Sequence, residues 1–310
     1  MVSKCLPVQY RLEIKLRTYL WQKEKGWMKY MIRSGEEPVL EEKEKNGITF
    51  LSFPALEKTG MVRQLFSTRA GGVSEGIFSS MNLSFTRGDN KEHVLENYRR
   101  IAGVLDCDIT DFVCSDQTHT TNVRVVGKED AGKGVVKEKD YTDVDGLITN
   151  EPGIVLATFY ADCVPLYFVD PVKKAIGLSH SGWRGTVNRM GAKTIELMKK
   201  TYGSDPADLL TAIGPSICMS CYEVGSEVAE EFLKAFPKET EQKEILKKKE
   251  NGKYLLNLWK ANYFIMKEAG VKEENISVTD ICTCCNGELL FSHRKSQGKR
   301  GNLGAFLGLL

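Results

Sequence analysis

The stretch from Gly153 to Tyr202 places the strongest constraint on how this chain can fold. It opens with a continuous apolar run at residues 154–161, whose shortness favours a buried strand over a helix. Two further strand-like runs follow on either side of a turn containing Pro171, at residues 164–169 and 175–179. Apolar side chains then recur at helical spacing over residues 187–198. The stretch therefore predicts a strand, a hairpin and a helix in succession.

The hairpin has two possible registers, which place Cys163 differently. If Pro171 and Val172 are the two loop residues, Cys163 lies opposite His180, and directly opposed residues have Cβ atoms roughly 5 Å apart. If the loop has four residues, Cys163 lies near Gly182 instead. The first register brings a thiol and an imidazole to chelating distance, so the sequence suggests a shared site without fixing it.

The other segments also alternate strand and helix patterns. Strands are expected at residues 48–53, 123–126, 146–149 and 276–279, and helices at residues 90–105, 228–236 and 258–269. Residues 1–45 are charge-rich and have no sustained apolar period, so we expect an N-terminal extension, flexible or partly a start-site artefact. Residues 46–310 then form one large domain, because single cores stop growing near about 250–300 residues. The predicted class is mixed α/β.

Composition and charge exclude several classes of protein. Hydrophobic residues make up 42% and charged residues 27% of the 310 positions, which is typical of a globular protein. The 43 Lys and Arg nearly balance the 41 Asp and Glu, so bulk charge favours neither a nucleic-acid partner nor an anionic membrane. We find neither an apolar run of about 18 residues nor a signal peptide and expect a cytoplasmic protein. Nine cysteines then indicate thiols or metal ligands rather than a disulfide framework.

His119, Cys163 and His180 are the first candidate site, because each lies at an apparent strand end or in a loop. Imidazole and thiolate suit zinc, and three protein ligands leave the fourth position open for water or substrate. Two other interpretations stay open at this point. Each side chain can be an ordinary core residue, or Cys163 can be a nucleophile with His180 as its base.

Arg69, Arg184 and Arg294 are candidate anion-binding residues, since each lies in a turn rich in Gly or Ser. A guanidinium group and neighbouring backbone amides can bind phosphate together. A plain structural role for each arginine is the alternative.

Two Cys-x-x-Cys pairs, Cys218/Cys221 and Cys282/Cys285, with Cys284 beside the second, have the local spacing of a zinc site. The pairs lie 64 positions apart, however, whereas compact zinc ribbons separate them by about 15–20 residues. We therefore favour reduced thiols packed beside the site and keep a second, structural metal as the alternative.

Several segments of the chain resemble one known family, the bacterial YfiH/YlmD-type proteins, also called the polyphenol oxidase or laccase-domain family. The segments are Ser67–Ser74, Gln117–His119, Ala161–Pro165, His180–Gly185, Gly214–Pro215, Cys221–Gly225, Cys282–Thr283 and Phe291–Arg294. Together they cover about residues 48–310.

The resemblance implies a single-domain α-β-β-α sandwich with mixed sheets and one zinc ion held by His119, Cys163 and His180. It also implies a purine nucleoside phosphorylase that converts adenosine, inosine, guanosine or S-methyl-5'-thioadenosine and phosphate to free base and pentose 1-phosphate. Adenosine deamination to inosine is a second implied activity. Members often end in Thr-Gly-Arg, whereas this chain has Arg300-Gly301-Asn302, so an anion contact from the terminal arginine is lost or moves to Arg300.

In the expected mechanism, Arg69 and Arg184 orient phosphate, with Arg294 and Gln117 as further substrate-binding residues, while the zinc polarises a ligand or water. Asp162 is a candidate general acid because it precedes Cys163, although an Asp there can equally fix the turn. A copper laccase is excluded, because its trinuclear cluster uses more imidazoles than the four histidines present. A Cys-His hydrolase acting on amide or peptidoglycan-type substrates is the main competitor, and a non-catalytic binding role is the third possibility.

Overall fold

The computed structural model describes residues 31–35 and 37–310. The strands are β1 Glu41–Lys45, β2 Ile48–Ser52, β3 Val62–Ser67, β4 Phe112–Cys114, β5 Val123–Val125, β6 Gly146–Thr149, β7 Val155–Tyr160, β8 Val164–Asp170, β9 Ala175–Ser181, β10 Leu210–Ile213, β11 Glu223–Val224, β12 Leu246–Lys248, β13 Tyr254–Leu256, β14 Ile276–Val278 and β15 Leu303–Leu309. The α-helices are α1 Pro54–Glu57, α2 Lys91–Leu105, α3 Trp183–Val187, α4 Met190–Tyr202, α5 Ser226–Ala235, α6 Glu239–Ile245, α7 Leu258–Glu268 and α8 His293–Ser296. Short 3₁₀ helices are Gly76–Phe78, Ile109–Asp111, Lys128–Asp130, Pro206–Asp208, Met219–Cys221 and Glu273–Asn275.

Two six-stranded mixed sheets form the centre of the fold. The first sheet has the order β1-β2-β3-β15-β7-β4, and the second has the order β14-β10-β8-β9-β6-β5. Most neighbours are antiparallel, whereas β4/β7, β5/β6 and β10/β14 are parallel. A small third sheet, β11-β13-β12, lies outside this pair.

The two sheets pack face to face, and helices cover their outer faces. Leu156 of the first sheet and Leu178 of the second belong to the same buried cluster. Tyr167 of β8 spans the gap between the sheets, because its ring contacts Phe53 at a centroid distance of 5.6 Å and its hydroxyl donates to the Leu65 carbonyl at 3.2 Å. Helix α2 packs on the first sheet, and helices α4 and α7 pack on the second, while α5 packs against β13 and α3. The expected α-β-β-α sandwich is therefore confirmed.

The strands nearest the candidate site are buried on both faces. Every residue of β8 and β9 is buried, because one face meets the first sheet and the other meets the helices. A strand of this kind has a continuous apolar sequence rather than an alternating one. The apolar runs of the Gly153–Tyr202 stretch have this cause.

The register of the β8/β9 hairpin is the one with a four-residue connection. Val164 pairs with Ser181 and Pro165 with His180, and residues 171–174 connect the strands. The register that places Cys163 directly opposite His180 is therefore wrong. Asp170 explains the longer connection, since its carboxylate accepts hydrogen bonds from the amides of Val172 and Lys173 at 2.9 Å.

Most predicted elements are present, with shorter bounds. Helix α2 begins after Asn90, whose side chain accepts from the Glu92 amide at 2.9 Å, and ends at Asp106 in the left-handed region. The single helix expected over residues 187–198 is instead two, α3 and α4, because Arg189 adopts φ +67° and breaks the helix between them.

Two strands of the first sheet differ from the sequence-based assignment. Strand β15 lies in the middle of the sheet between β3 and β7 and had no predicted counterpart, because Gly304 and Gly308 interrupt its apolar pattern. Strand β1 falls in the expected extension yet pairs with β2, so the folded body begins before residue 46. A charged edge strand has little apolar pattern to detect. Residues 1–30 and 36 of that expected extension lie outside the described part of the chain.

None of the helices among the described residues is long and apolar enough to cross a membrane. The cytoplasmic location and the absence of nucleic-acid partners stay predictions.

Replacing Leu156 by alanine tests the packing between the two sheets. Leu156 is fully buried, so we expect the free energy of unfolding to fall by about 2–5 kcal/mol through lost burial and cavity formation. The control is Val172→Ala in the hairpin connection, where Val172 is 62% exposed and the expected change is within about 0.5 kcal/mol. Urea unfolding of both variants is the measurement. Equal midpoints would contradict the assigned core.

Candidate metal centre

His119, Cys163 and His180 come together in the structure. One ligand atom from each lies within 4.8 Å of the others. The Cys163 Sγ and the His119 Nε2 are 4.0 Å apart, and the two imidazole rings are almost perpendicular with centroids 4.9 Å apart. His119 lies in the loop after β4, Cys163 in the turn between β7 and β8, and His180 near the end of β9.

Left-handed backbone at two positions aims these side chains. His119 has φ +69°, and Asp162 has φ +88°, a region that costs non-glycine residues energy and needs support from surrounding contacts. The Asp162 carboxylate accepts hydrogen bonds from the Thr283 hydroxyl at 2.6 Å and the Arg294 amide at 2.7 Å, and these contacts stabilise the left-handed backbone at Asp162. Because β8 and β9 place Cys163 beyond His180, the turn at Asp162 is what brings its sulfur back to the imidazole.

Asp145 is the buried carboxylate that organises the centre. It precedes β6, is fully buried, and its Oδ1 lies 2.7 Å from the His180 Nδ1. The amides of Thr118, His119 and Thr120 donate to its two oxygens at 2.9, 3.1 and 3.0 Å. One carboxylate therefore fixes both the loop that carries His119 and the ring orientation of His180.

The pKa values of these groups reflect the same contacts. Burial raises the pKa of the Asp145 carboxyl, but hydrogen bonds from His180 and the backbone outweigh it, so its pKa is lower than usual. Burial likewise opposes ionisation of Cys163, yet His180 and His119 lower the pKa of its thiol to about 6. Burial disfavours a charged His180, yet Cys163 and Asp145 raise its pKa to about 9. The site therefore favours a cation beside the Cys163 sulfur.

The residues present fit a divalent metal such as zinc. A thiolate and two imidazoles are ligands that zinc prefers, and Nδ1 of His180 is engaged by Asp145, as metal-binding histidines usually require. Gly182 also leaves room beside the donors, because a Cβ there would lie 3.1 Å from both the Cys163 Sγ and the His119 Cδ2.

The centre lies on the wall of a large cleft of about 720 Å³. Its lining contains all three metal-ligand candidates together with aromatic side chains and several cations. The aromatic residues are Phe85, Tyr98, Phe159 and Tyr160, and the basic residues are Arg87, Lys91, Lys137, Lys139 and Arg300.

Two of the expected substrate-binding residues donate to the backbone. The Gln117 Nε2 donates to the Phe159 carbonyl at 2.7 Å, and its Oε1 accepts from the Phe159 amide at 2.6 Å, so this cleft-lining amide joins the His119 loop to β7. The Arg69 guanidinium donates to the carbonyls of Ser79 and Gly287 at 2.9 and 3.0 Å. Arg69 is not among the residues that line the cleft.

Arg184 and Arg294 lie on aromatic rings beside the centre. The Arg184 guanidinium lies 4.3 Å from the Trp183 ring centroid, and the Arg294 guanidinium 5.4 Å from that of Tyr222. Arg294 also donates to the Glu223 carbonyl at 2.9 Å. Burial, followed by the negative charge of Cys163, raises the pKa of the Tyr222 hydroxyl, while both arginines oppose this change. Both cations therefore lie close enough to Tyr222 to affect its hydroxyl.

Arg300 is a half-buried cation on the cleft wall. Its Nε is buried and has no hydrogen-bond partner among the described residues, whereas its Nη1 contacts Asn302 and the Gly301 carbonyl. Burial, with the positive charge of Arg87, lowers the pKa of Arg300 to about 10. Two cations held near each other form a region of the cleft that attracts an anion.

Sequence reasoning missed Asp145 and Arg87. Asp145 belongs to the run Asp143-Val144-Asp145-Gly146 directly before a strand, and a carboxylate at a strand end is a detectable signal. Its burial depends on the fold and could not be read from the sequence. Arg87 lies in a loop of ordinary polar composition that carries no comparable signal.

Two groups with three or more potential metal ligands occur in the part of the chain that the structure describes. They are the His119/Cys163/His180 centre and a set of four cysteines. The other two histidines, His93 and His293, belong to neither group.

The fold and the site define a two-sheet α/β protein with a candidate metal centre of two histidines and a cysteine on a cationic cleft. Residues 63–310 match the family model described as "Multi-copper polyphenol oxidoreductase laccase". The chain therefore belongs to this family, as the resemblance in its sequence indicated.

Relatives in this family carry names of enzymes. The chain is 36% identical over 248 residues to "Purine nucleoside phosphorylase YlmD" of Bacillus subtilis, which covers 79% of this chain and 87% of the relative. It is 34% identical over 234 residues to "Adenosine deaminase RL5" of an unknown prokaryotic organism, covering 75% and 88%. The crystal structure of YlmD from Geobacillus stearothermophilus superposes with a TM-score of 0.80 at 34% identity, covering 88% of this chain and 99% of that one.

Replacing Asp145 by asparagine tests its control of the metal centre. An amide has one acceptor oxygen and cannot accept every hydrogen bond that this carboxylate receives, so we expect zinc affinity to fall about 10–100-fold. Competition with a chromogenic chelator measures the change. The matched control is Asp140→Asn, since Asp140 is a 64% exposed partner of Lys133, and its affinity should stay unchanged. Equal affinities for the two variants would contradict the role of Asp145.

Proposed function

We propose that this chain is a zinc-dependent purine nucleoside phosphorylase with adenosine deaminase activity. Its substrates would be adenosine, inosine, guanosine or S-methyl-5'-thioadenosine with inorganic phosphate, and its products the free base and a pentose 1-phosphate. The observation that carries the proposal is that the Asp145-supported centre and Arg300, whose Nε is buried without a hydrogen-bond partner among the described residues, line one cleft. The printed names of the relatives supply the purine substrate class.

His119, Cys163 and His180 would hold the zinc. When bound, zinc acts as a Lewis acid and lowers the pKa of a coordinated water toward about 7. Asp145 holds the proton of His180 on Nδ1, which leaves Nε2 as the donor atom. The lowered pKa of Cys163 keeps its sulfur as a thiolate near neutral pH.

Arg300 and Arg87 are the residues we assign to phosphate. Splitting an N-glycosidic bond with phosphate requires that the charge of the anion be neutralised and its oxygen be held against the sugar. The Arg300 Nε is already shielded from water, and hydrogen bonds in which the donor or the acceptor is charged are the strong ones. Of the arginines expected from the sequence, Arg184 and Arg294 would add positive potential near Tyr222. Arg69 would instead hold its own loop through the carbonyls of Ser79 and Gly287.

The aromatic side chains of the cleft would bind the purine. Phe85 and Phe159 are half-buried and line the cleft with the metal-ligand candidates. Phe85 stacks on Tyr98 with a centroid distance of 5.5 Å and an interplanar angle of 4°, so its position is fixed. Flat apolar surfaces of this kind suit a planar base.

Asp162 acts in this proposal as a positioning residue. Both of its carboxylate oxygens accept short hydrogen bonds, and its backbone carbonyl accepts from the Ile217 amide at 3.0 Å. These contacts hold the turn that aims Cys163. The general acid that protonates the leaving base is not assigned to a side chain.

A Cys-His hydrolase is the second candidate, and one observation favours it. Cys163, His180 and Asp145 also have the arrangement of a catalytic triad, with Cys163 as nucleophile, His180 as base and Asp145 as the carboxylate that orients the base. The two candidates differ in their need for metal. A chelator should abolish the activity of a zinc enzyme and leave a thiol hydrolase active.

Incubating the purified protein with adenosine, with and without phosphate, tests the proposal directly. We expect adenine only when phosphate is present and inosine under both conditions, with the products separated by chromatography. Because one centre would serve both reactions, Cys163→Ala should lower both rates at least about 10³-fold, the scale expected when a catalytic group is removed.

The matched control for this assay is Cys107→Ser, because Cys107 is a half-buried thiol outside both ligand groups. Its activity should equal that of the parent protein. A near-native rate of either reaction in Cys163→Ala would refute the shared centre, and failure of the parent protein to convert adenosine at full zinc loading would refute the function.

Replacing Arg300 by alanine tests the phosphate assignment. Loss of a charged hydrogen-bond donor costs about 1.5–3 kcal/mol, so kcat/KM for phosphate should fall about 10–100-fold. Adenosine deamination, which uses no phosphate, should stay within about twofold. Arg99→Ala is the control, since Arg99 is 51% exposed on α2. A parallel loss of deamination, or an unchanged phosphate dependence, would contradict the assignment.

A further inference from the structure

Four cysteines outside the candidate centre lie close together in the structure. One sulfur from each of Cys218, Cys221, Cys282 and Cys285 lies within 4.8 Å of the others. We propose that this four-cysteine cluster binds a second, structural zinc ion in the reduced protein. The spacing of the two pairs excludes a local zinc ribbon, but the fold brings the pairs together by another route.

That route is the parallel pairing of β10 and β14 in the second sheet. Thr211 pairs with Ile276 and Ile213 with Val278, so the segments that follow the two strands leave the sheet side by side. The pairing continues as an isolated bridge between Ser216 and Cys282. Each strand is therefore followed within a few residues by one Cys-x-x-Cys pair, and the 64 intervening positions do not separate the sulfurs in space.

The distances between the sulfurs match a tetrahedral thiolate site. A zinc ion with four sulfurs at about 2.3 Å requires sulfur pairs about 3.8 Å apart. The Cys285 Sγ lies 3.9 Å from the Cys218 Sγ and 3.5 Å from the Cys221 Sγ. These two separations lie on either side of the required value, so the ion could be accommodated by small movements of the side chains.

The backbone around the cluster donates hydrogen bonds to sulfur. The amides of Cys218 and Cys285 donate to the Cys282 Sγ at 3.2 and 3.4 Å. Each pair also closes a tight turn, because the Cys221 amide donates to the Cys218 carbonyl and the Asn286 amide to the Cys282 carbonyl, at 3.0 and 3.1 Å. Amide donors stabilise a thiolate, and thiolate is the form that binds metal.

Cys285 is disulfide-bonded in this structure, so the proposed site belongs to the reduced state. An external dithiol supplies the two electrons and two protons that convert this disulfide to two thiols and is itself oxidised to a disulfide. Binding of Zn²⁺ by the four cysteines then releases their thiol protons to solvent. Zinc loading of the cluster is therefore expected only under reducing conditions.

The second zinc would stabilise the turn that aims Cys163. Ile217, which precedes Cys218, donates its amide to the Asp162 carbonyl, and Thr283, which follows Cys282, donates its hydroxyl to the Asp162 carboxylate. A metal that joins the two segments would fix both donors. The proposed ion is thus structural and does not touch substrate.

Elemental analysis of the full chain purified with a dithiol reductant tests this proposal. We expect two zinc ions per chain in the parent protein and one in Cys163→Ala, which retains the cluster. The double variant Cys163→Ala/Cys221→Ser should hold none, whereas Cys163→Ala/Cys284→Ser should keep one, because Cys284 neighbours the cluster without belonging to it. One zinc per reduced parent chain, with none in Cys163→Ala, would overturn the proposal.

A spectroscopic measurement guards against misfolding of the serine variant. Cobalt loaded into reduced Cys163→Ala should give the intense visible absorption and sulfur-to-metal charge-transfer bands of a tetrahedral thiolate site. Weak absorption without charge-transfer bands would overturn the proposal in a chain whose four cysteines are intact. These results do not depend on enzymatic activity, so they separate failure of the second site from failure of the proposed function.

Discussion

The buried carboxylate of Asp145 is the interaction on which the rest of the site depends. It accepts hydrogen bonds from the backbone amides of residues 118–120 and contacts the His180 ring. The loop after β4 of the first sheet and strand β9 of the second sheet therefore share one acceptor. An ionised group without water is costly unless hydrogen bonds replace its hydration. The contacts of Asp145 meet this requirement and, in doing so, hold two of the three candidate metal ligands in place.

The fold supplies the third ligand through a strained turn rather than through strand pairing. In the observed register Cys163 lies beyond His180, and the left-handed Asp162 brings its sulfur back to the imidazole. Asp162 is held by Thr283 and Arg294, which come from the distant C-terminal part of the chain. The centre is therefore assembled from both sheets and from the segments that close the domain.

The sequence predicted those parts of the fold that leave a local pattern. Strands β8 and β9 were recognisable because burial on both faces makes them continuously apolar, and α2 because Asn90 and the apolar spacing mark its start and its face. Strand β15 was missed because two glycines interrupt it, although the chain places it at the middle of the first sheet. Its position depends on pairing with distant strands, which local sequence does not encode.

The candidate site was likewise predictable only where residue type, rather than tertiary packing, determines it. The residue types of His119, Cys163 and His180 identified the ligand set, and the structure brings the three together. The hairpin register that would place Cys163 opposite His180 is not the observed one, so ligand chemistry and family resemblance, not strand geometry, predict this grouping. The roles of Asp145 and Arg300 depend on burial of the Asp145 side chain and of the Arg300 Nε, and burial of a polar group follows from tertiary packing.

The most direct test of the central claim is an anomalous-diffraction measurement on crystals of the protein, with data collected on either side of the zinc absorption edge. We expect a zinc peak about 2.3 Å from the Cys163 Sγ and about 2.0–2.1 Å from one nitrogen each of His119 and His180, with Nδ1 of His180 still facing Asp145. No zinc peak among these three side chains in zinc-loaded crystals, or a peak bound to His180 through Nδ1, would contradict it.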